Sequence, residues 1–124
     1  MHPVATYFHQ FLADKRDREL LPGLKNLSAR FAIDVYGSSA GIWTLCIDRG
    51  MLRTIETGML DPQCHYRLKD EVFLQIAAGQ LSPQFAFFQR RIEIHGRLDV
   101  GLRVATVLAG FFKQFPYAAA ESVR

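Results

Sequence analysis

The segment from residue 99 to about residue 114 limits the fold most, because it is too apolar for a helix with one packed face. Its periodicity is helical, and its apolar positions cover more than the roughly 100°-wide stripe that a surface helix buries. These positions are Val100, Leu102, Val104, Ala105, Val107, Leu108, Phe111, Phe112 and, just beyond, Phe115. The helix therefore needs a second apolar surface besides the layer on which it packs.

A shorter segment has the same need. Ser82 as N-cap and Pro83 at the first helical position predict a short helix that runs to Gln89. Phe85, Phe87 and Phe88 in this helix cannot all point the same way. A larger interior than usual, a partner chain, or an apolar ligand held between helices and a sheet would each provide the missing surface. The residues alone leave these three open.

Alternating apolar and polar residues predict five β-strands in the rest of the chain. The turn at 37–41 joins the first two strands as a hairpin. The third strand alternates poorly, which is typical of an edge strand. The predicted strands cover residues 30–36, 43–48, 52–57, 64–68 and 91–95.

Two more helices are predicted from spacing. An N-terminal amphipathic helix of about three turns precedes Pro22-Gly23, and its apolar stripe is Tyr7, Phe8, Phe11 and Leu12. A middle helix begins with Asp70 as its cap and ends at Gly79, and its stripe is Val72, Phe73, Ile76 and Ala77. No linker or repeat divides the chain, so residues 1–124 are predicted to form one α+β domain.

Composition excludes several classes of protein. Ten Phe, four Tyr and one Trp are too much aromatic surface for a disordered chain. The net charge of +3 is spread along the chain, which favours solubility and gives no reason to expect a nucleic-acid partner. The longest apolar stretch, 104–112, is about half of the roughly 20 residues that a membrane-spanning helix requires. The start of the chain does not resemble a signal peptide, so we expect a cytoplasmic protein.

The residues that usually carry catalysis or bind metals form no recognisable pattern. The histidines, at positions 2, 9, 65 and 95, never stand one helical turn apart, and Cys46 and Cys64 fit no metal or CxxC spacing. Asp34 and Asp48 fall on outward faces of neighbouring strands, where they lack a shielding cleft. We therefore expect no catalytic residue, no metal and no cofactor.

Three stretches resemble the sterol carrier protein 2 family of lipid-binding domains. They are Ile42-Trp43-Thr44-Leu45 with the strand that follows, the run CHYRLKDEVFLQIAAGQLSPQFAFFQRRIEIHGRLDVGLRV, and the apolar last helix. The resemblance implies a five-stranded, mainly antiparallel sheet with helices packed on one face. It also implies an apolar tunnel between them that holds fatty acyl chains, sterols, isoprenoids or phospholipids.

The resemblance also implies which residues line the tunnel. The helices would contribute Phe73, Ile76, Phe85, Phe88, Val104, Leu108, Phe111 and Phe112, and the sheet would contribute Trp43, Leu45, Ile92 and Ile94. Arg90 and Arg91, beside aromatic rings, would hold a phosphate or quinone head group at the tunnel mouth. The other interpretation of these two arginines is an ordinary charged boundary between a helix and a strand.

Phe87-Phe88-Gln89-Arg90-Arg91, an apolar-acidic-apolar strand and Gly96 are similar to one branch of the family, the bacterial accessory lipid carrier of oxygen-independent ubiquinone synthesis. That branch holds polyprenylated quinone precursors for partner hydroxylases; Arg97 departs from it, because an acidic residue is more usual there. The expected function is non-catalytic lipid carriage with transient membrane-surface contact and partner enzymes of lipid or quinone metabolism. The alternative is a protein-interaction or dimerisation module that docks through the N-terminal apolar stripe.

Overall fold

The structure is a computed structural model that describes residues 2–18 and 26–117. Its five strands are β1 (Ala29–Tyr36), β2 (Gly41–Asp48), β3 (Met51–Thr57), β4 (Cys64–Lys69) and β5 (Ile92–Gly96). Its α-helices are α1 (Pro3–Thr6), α2 (Asp70–Ala77), α3 (Pro83–Phe88) and α4 (Leu98–Gln114). The order of elements agrees with the sequence prediction, and most boundaries differ from it by one or two residues.

The strands form one sheet in the order β3-β2-β1-β4-β5. All neighbours are antiparallel except β1 and β4, which pair in parallel. In the central strand, Ile33 is opposite Trp43 on one side and Tyr66 on the other. The predicted α+β fold with a mainly antiparallel sheet is confirmed.

The helices cover one face of this sheet, and the hydrophobic core lies between the two layers. Phe31, Ile33 and Val35 of β1 are buried in that core, and α2 and α4 contact β1 and β4. The opposite face carries polar groups, among them the ion pair between Arg67 and Asp34 at 3.7 Å. This difference between the faces is what strict alternation along a half-buried strand predicts.

The edge strand β3 contains a β-bulge, which explains its poor alternation. Cys46 pairs with Thr54 and Ile47 pairs with Leu52, so Arg53 is an extra residue between the two pairs. A bulge of this kind reverses the side-chain pattern of the strand that carries it. Arg53 forms an exposed ion pair with Asp17 at 3.0 Å.

The N-terminal segment differs from the predicted three-turn helix. After the single turn of α1, residues Tyr7–Phe11 form a π-helical turn and Ala13–Lys15 a 3-10 turn. The Leu12 amide donates to the Tyr7 carbonyl at 2.7 Å, five residues back. Because Tyr7, Phe8 and Leu12 are all buried, tertiary packing outweighs regular helical spacing here. The predicted stop at Pro22-Gly23 lies outside the described residues.

The start of α2 also differs from its prediction, since the N-cap residue is Lys69 and Asp70 is the first helical residue. The Asp70 carboxylate accepts from the backbone amides of Ser39, at 2.9 Å, and Glu71, at 2.8 Å. These bonds, that from Ser39 foremost, lower the pKa of Asp70. The side chain therefore ties the helix to the β1–β2 turn instead of capping the helix alone.

The other predicted helix signals are confirmed. Gly79 has φ of +75°, as the left-handed residue that ends a helix requires. The Ser82 hydroxyl accepts from the Phe85 amide at 3.2 Å, and Pro83 follows it.

Candidate functional site

A first apolar cavity lies between the β4–β5 side of the sheet and the three later helices. Its volume is about 30 Å³. Five of the predicted lining residues stand around it: Phe73, Ile76, Ile92, Leu108 and Phe112. The sequence analysis missed Ile33, Tyr66, Leu68, Pro83 and Ala105, which complete the wall.

A second apolar cavity, of about 20 Å³, lies between the N-terminal segment, strands β1 to β3 and α4. Four of the residues predicted to line a tunnel stand around it: Leu45, Leu108, Phe111 and Phe112. The wall also includes residues outside the predicted lining, namely Tyr7, Phe8, Leu12, Phe31, Ile33, Ile47 and Leu52. Alternation in β1 and the N-terminal stripe marked most of these as buried but could not place them beside a cavity.

The two cavities share part of their walls. Ile33, Leu108 and Phe112 line both. Movement of the Leu108 and Phe112 side chains on α4 would therefore join the two spaces into one.

Neither cavity has the volume of a lipid site. A pocket for a drug-sized ligand has a volume of roughly 300–1,000 Å³, whereas these cavities have volumes of about 30 and 20 Å³. The interior thus has two small spaces with apolar walls, and the tunnel stays a prediction.

An open groove of about 600 Å³ runs along the outside, between α3 and β5. It is lined by Phe87, Phe88, Arg90, Ile92, Glu93, Ile94 and His95. Ile92 also lines the first cavity, so the groove and this cavity adjoin each other at that residue. Among the predicted residues, Phe88, Arg90, Ile92 and Ile94 meet in this groove.

Two predicted lining residues lie at the surface of α3. Phe88 is 79% exposed and Phe85 is 56% exposed. They stand three positions apart and so share one helical face. Gln84 fixes the orientation of this helix, because its Nε2 donates to the Thr106 hydroxyl of α4 at 3.2 Å.

Two other predicted lining residues pack in the core without lining either cavity. Val104 is fully buried on α4. Trp43 is buried beneath the N-terminal segment, where its ring stacks on Phe8 with centroids 4.3 Å apart. Its Nε1 donates to Nε2 of His9 at 3.1 Å.

The two arginines predicted to hold a head group have different surroundings. Arg90 has φ of +62° and lines the groove. Arg91 is exposed, and its Nη2 donates to Oε1 of Gln75 at 3.1 Å. The Arg91 amide donates to the Ala86 carbonyl at 2.8 Å and the Arg90 amide to the Phe87 carbonyl at 3.0 Å. This is a Schellman motif with Arg90 where glycine is usual.

The tyrosines that line the cavities are buried and differ in hydrogen bonding. The Tyr66 hydroxyl donates to the Gly101 carbonyl at 2.6 Å. The Tyr7 hydroxyl has no hydrogen-bond partner within the described part of the chain. Burial raises the pKa of both side chains, so both stay protonated at neutral pH.

Residues 2–18 and 26–117 contain neither a metal-binding cluster nor a membrane-spanning helix. No three His, Cys, Asp or Glu side chains there lie close enough together to hold a metal ion. No helix in that part of the chain has the length and apolar character to cross a membrane. Cys64 is buried and Cys46 half-buried, and both are free thiols.

Comparison with solved structures shows the same fold. Sterol Carrier Protein 2 Like 2 from Aedes aegypti matches with a TM-score of 0.66 at 21% identity, over 84% of this chain and 94% of that one. Palmitated SCP2L2 from Aedes aegypti matches with a TM-score of 0.57 at 22% identity, over 69% of this chain and 77% of that one. A protein from Thermus thermophilus, described as possibly a sterol carrier protein, matches with a TM-score of 0.67 at 14% identity, over 90% of each chain.

Sequence comparison gives a match to a family model but none to an individual curated protein. The family model of the SCP-2 sterol transfer family matches residues 8–109, which is most of the chain and includes both cavities' walls on the sheet. Together with the fold and the apolar interior, this match shows that the chain belongs to the SCP-2 sterol transfer family.

Proposed function

We propose that this protein is a non-catalytic lipid carrier that shields an acyl, sterol or polyprenyl chain between its sheet and helices. The observation that carries the proposal is that an outer groove and two apolar cavities share lining residues. The groove and the first cavity adjoin at Ile92, and the two cavities adjoin at Leu108 and Phe112. Membership of the family and the palmitated relative support the same function.

These shared walls define a path for the lipid. A chain that enters from the groove passes Ile92, then Leu108 and Phe112, and ends among the aromatic rings of the N-terminal segment. The path lies under α3 and α4, which contact each other and β5. Loading therefore requires these two helices to move outward, since the closed cavities are far smaller than a lipid chain.

The driving force along this path is burial of hydrocarbon. Each methylene removed from water contributes about 0.8 kcal/mol, which corresponds to about a fourfold change in affinity. The cavity walls are apolar, so affinity should follow chain length until the path is full. A series of saturated lipids of increasing length, titrated against the purified protein, tests this directly. Binding that does not strengthen with added methylenes would refute the proposal.

A matched pair of variants tests the path itself. Leu108→Phe enlarges a side chain that lines both cavities, whereas Val107→Phe enlarges its neighbour, which lines neither. We expect Leu108→Phe to abolish the gain in affinity from the longer chains. Val107→Phe should keep the wild-type dependence on length. The same response in both variants would contradict the path.

The exposed face of α3 supports a second element of the proposal, transient contact with an anionic bilayer. Phe85 and Phe88 project from the helix, and Arg90 and Arg91 follow after Gln89. Aromatic rings flanked by arginines suit the boundary between acyl chains and anionic head groups. This face also borders the groove, so it would present the path opening to the membrane.

Vesicle co-sedimentation tests that contact. The double change Phe85→Ser and Phe88→Ser should reduce binding to vesicles that contain phosphatidylglycerol. The control is Met59→Ser with Leu60→Ser, because those two residues are also exposed but lie in the loop before β4. Equal loss in both double variants would contradict a docking role for α3. Alanine at Arg90 and Arg91, tested with charged and neutral lipids, decides the head-group role, since unchanged selectivity would end it.

The alternative function is an interaction or dimerisation module. The sequence suggested that such a module would dock through the N-terminal apolar stripe, but most of that stripe is not at the surface. Tyr7, Phe8 and Leu12 are buried against the core instead of facing solvent. Phe85 and Phe88 on α3 are the most exposed of the large apolar side chains in the described part of the chain, so a protein partner would use that face. Sedimentation of lipid-free protein at micromolar concentration distinguishes the two functions, because a stable dimer would favour the module.

We further propose a polyprenylated quinone precursor as the cargo, presented to partner enzymes at the membrane surface of the cytoplasm. The support is the similarity of the Phe87–Arg91 segment and Gly96 to the quinone-synthesis branch. Native mass spectrometry of protein purified under mild conditions, with extraction of whatever travels with it, tests this. Recovery of phospholipids or fatty acids alone would count against a quinone cargo.

A further inference from the structure

The two edges of the sheet differ in how their outer backbone groups are paired. At the β3 edge, the Leu52 carbonyl accepts from the Asp17 amide at 2.7 Å, and the Leu52 amide donates to the Arg18 carbonyl at 3.4 Å. The bulge at Arg53 interrupts the same edge. Proteins protect sheet edges in such ways because an exposed edge readily pairs with another chain. The β3 edge is therefore protected.

The opposite edge, β5, has neither kind of protection. Its register with β4 runs without a bulge, and the strand contains no proline. Apart from β4, no element in the described part of the chain forms a backbone hydrogen bond with residues 92–96. The outer side of β5 is thus available to a further strand.

The pairing with β4 shows which backbone groups of β5 point outward. The Arg97 amide donates to the Gln63 carbonyl at 2.9 Å, in the same register as the β4–β5 pairs. Bonded and non-bonded pairs alternate along an antiparallel ladder, so the odd-numbered residues of β5 turn their amides and carbonyls toward β4. The amides and carbonyls of Ile92 and Ile94 therefore point away from the sheet.

The open groove beside α3 runs along this edge. Four consecutive residues, 92–95, line the groove, although their side chains alternate between the two faces of the sheet. Only a groove along the edge of a strand meets side chains of both faces. The opposite wall includes Phe87 and Phe88 at the end of α3. An extended segment in the groove would reach the outward backbone groups of β5 and pack against these rings.

Arg90 gives the groove a preference for negative charge. It lines the groove and belongs to none of the ion pairs in the described part of the chain. Glu93 also lines the groove, but its Oε1 lies 2.9 Å from Nε2 of His95. The positive charge of Arg90 is therefore available to a carboxylate from outside.

We propose that the β5 edge binds an extended segment of a partner protein as an added strand, with apolar side chains toward α3 and an acidic side chain beside Arg90. Strand addition takes its affinity from main-chain hydrogen bonds and its specificity from alternate side chains. A second copy of β5 fits less well, because its one carboxylate, Glu93, is already bonded to His95. The docked partner lies beside Ile92, where the groove and the first cavity adjoin.

The test uses one capped peptide, acetyl-Thr-Val-Thr-Val-Thr-Glu-amide, and amide hydrogen exchange of the wild-type protein measured by NMR. In the free protein, the amide of Ile94 should exchange faster than the amides of Glu93 and His95, because only the latter two bond to β4. Peptide at millimolar concentration should slow exchange at Ile94. Unchanged exchange at Ile94 would overturn the proposal.

Backbone methylation of the peptide supplies matched controls without altering the protein. Methylation of an amide that faces β5 should weaken binding by about 2- to 12-fold, the range expected for one hydrogen bond. Methylation of the amides between them should have a much smaller effect. The loss should therefore recur at every second peptide residue, and a loss without that period would contradict strand addition.

A pair of charge changes tests the role of Arg90. Replacing the peptide's glutamate with glutamine should weaken binding to wild-type protein by about 1.4- to 5-fold, as expected for one exposed ion pair. The same replacement should have no effect on binding to Arg90→Gln. An equal loss in both proteins would overturn the pairing with Arg90.

Two controls without peptide identify other occupants of the edge. Protection of the Ile94 amide that rises with protein concentration, together with a dimer in sedimentation, would show that β5 pairs with a second copy. Protection by phosphatidylglycerol vesicles but not by peptide would show that the groove faces a membrane. Either result would overturn the assignment of the edge to a partner protein.

Discussion

Replacing Arg90 with glycine should stabilise the protein while weakening its contact with anionic membranes. Arg90 ends α3 with φ of +62°, in the left-handed region that costs a residue with a Cβ roughly 1–2 kcal/mol. Glycine removes that cost. It also makes the unfolded chain more flexible, which destabilises the folded protein by about 0.4–1 kcal/mol. The net effect of Arg90→Gly is a gain of about 0.5–1 kcal/mol in the free energy of unfolding, or about 2–5 °C in Tm.

The control is Arg91→Gly, because Arg91 precedes β5 without positive φ and its guanidinium bonds Gln75. Glycine there should lower Tm. In vesicle binding, loss of the Arg90 charge at the groove should weaken association with anionic bilayers about fivefold, the value of about 1 kcal/mol per basic residue. Thermal unfolding and co-sedimentation measure the two effects independently. A lower Tm for Arg90→Gly than for wild type would refute the account of backbone strain.

Two further changes test the packing around the site. Asp70→Ala should lower the free energy of unfolding by about 1–3 kcal/mol at neutral pH, because the hydrogen bond from the Ser39 amide is lost. Folding lowers the pKa of Asp70, so the carboxylate stabilises the protein only while it is ionised. Urea titrations should therefore show the difference between variant and wild type shrinking as the pH falls through the pKa of Asp70 in the folded protein. Gly101→Val should cost about 1–3 kcal/mol in the same assay, because a Cβ at Gly101 would lie 2.6 Å from Cγ2 of Ile94.

Local signals in the sequence were enough to predict most elements, because their causes are local. Ser82 caps α3 through a bond to an amide three residues away, and Gly79 ends α2 through its own backbone angle. The residues alone predicted strands in an α+β domain, whereas the five-stranded, mainly antiparallel arrangement was expected from the family resemblance. The parallel pairing of β1 with β4 depends on contacts between distant segments. The π turn at Tyr7–Phe11 also escaped prediction, because its apolar spacing fits a regular helix equally well.

The residues of the candidate site were also predictable only where local patterns determine their positions. Spacing on α2 and α4 identified Phe73, Ile76, Leu108 and Phe112 as interior residues, and each lines a cavity. Phe85 and Phe88 are equally apolar but face outward. Which side of a short helix faces the core depends on the element against which it packs, and no local pattern records that. The unpaired hydroxyl of Tyr7 was likewise invisible, since a pairing partner is a property of the folded molecule.

The closed interior has a consequence for the kinetics of loading. Because the cavities of about 30 and 20 Å³ cannot hold a lipid chain, the proposed carrier would bind lipid only in an opened form, and its apparent affinity would be reduced by the population of that form. At high lipid concentration the observed loading rate should then level off at the rate of opening. On the proposed path, the lifetime of the loaded protein would in the same way be set by how often α3 and α4 separate from the sheet, so delivery would be triggered by whatever loosens those helices.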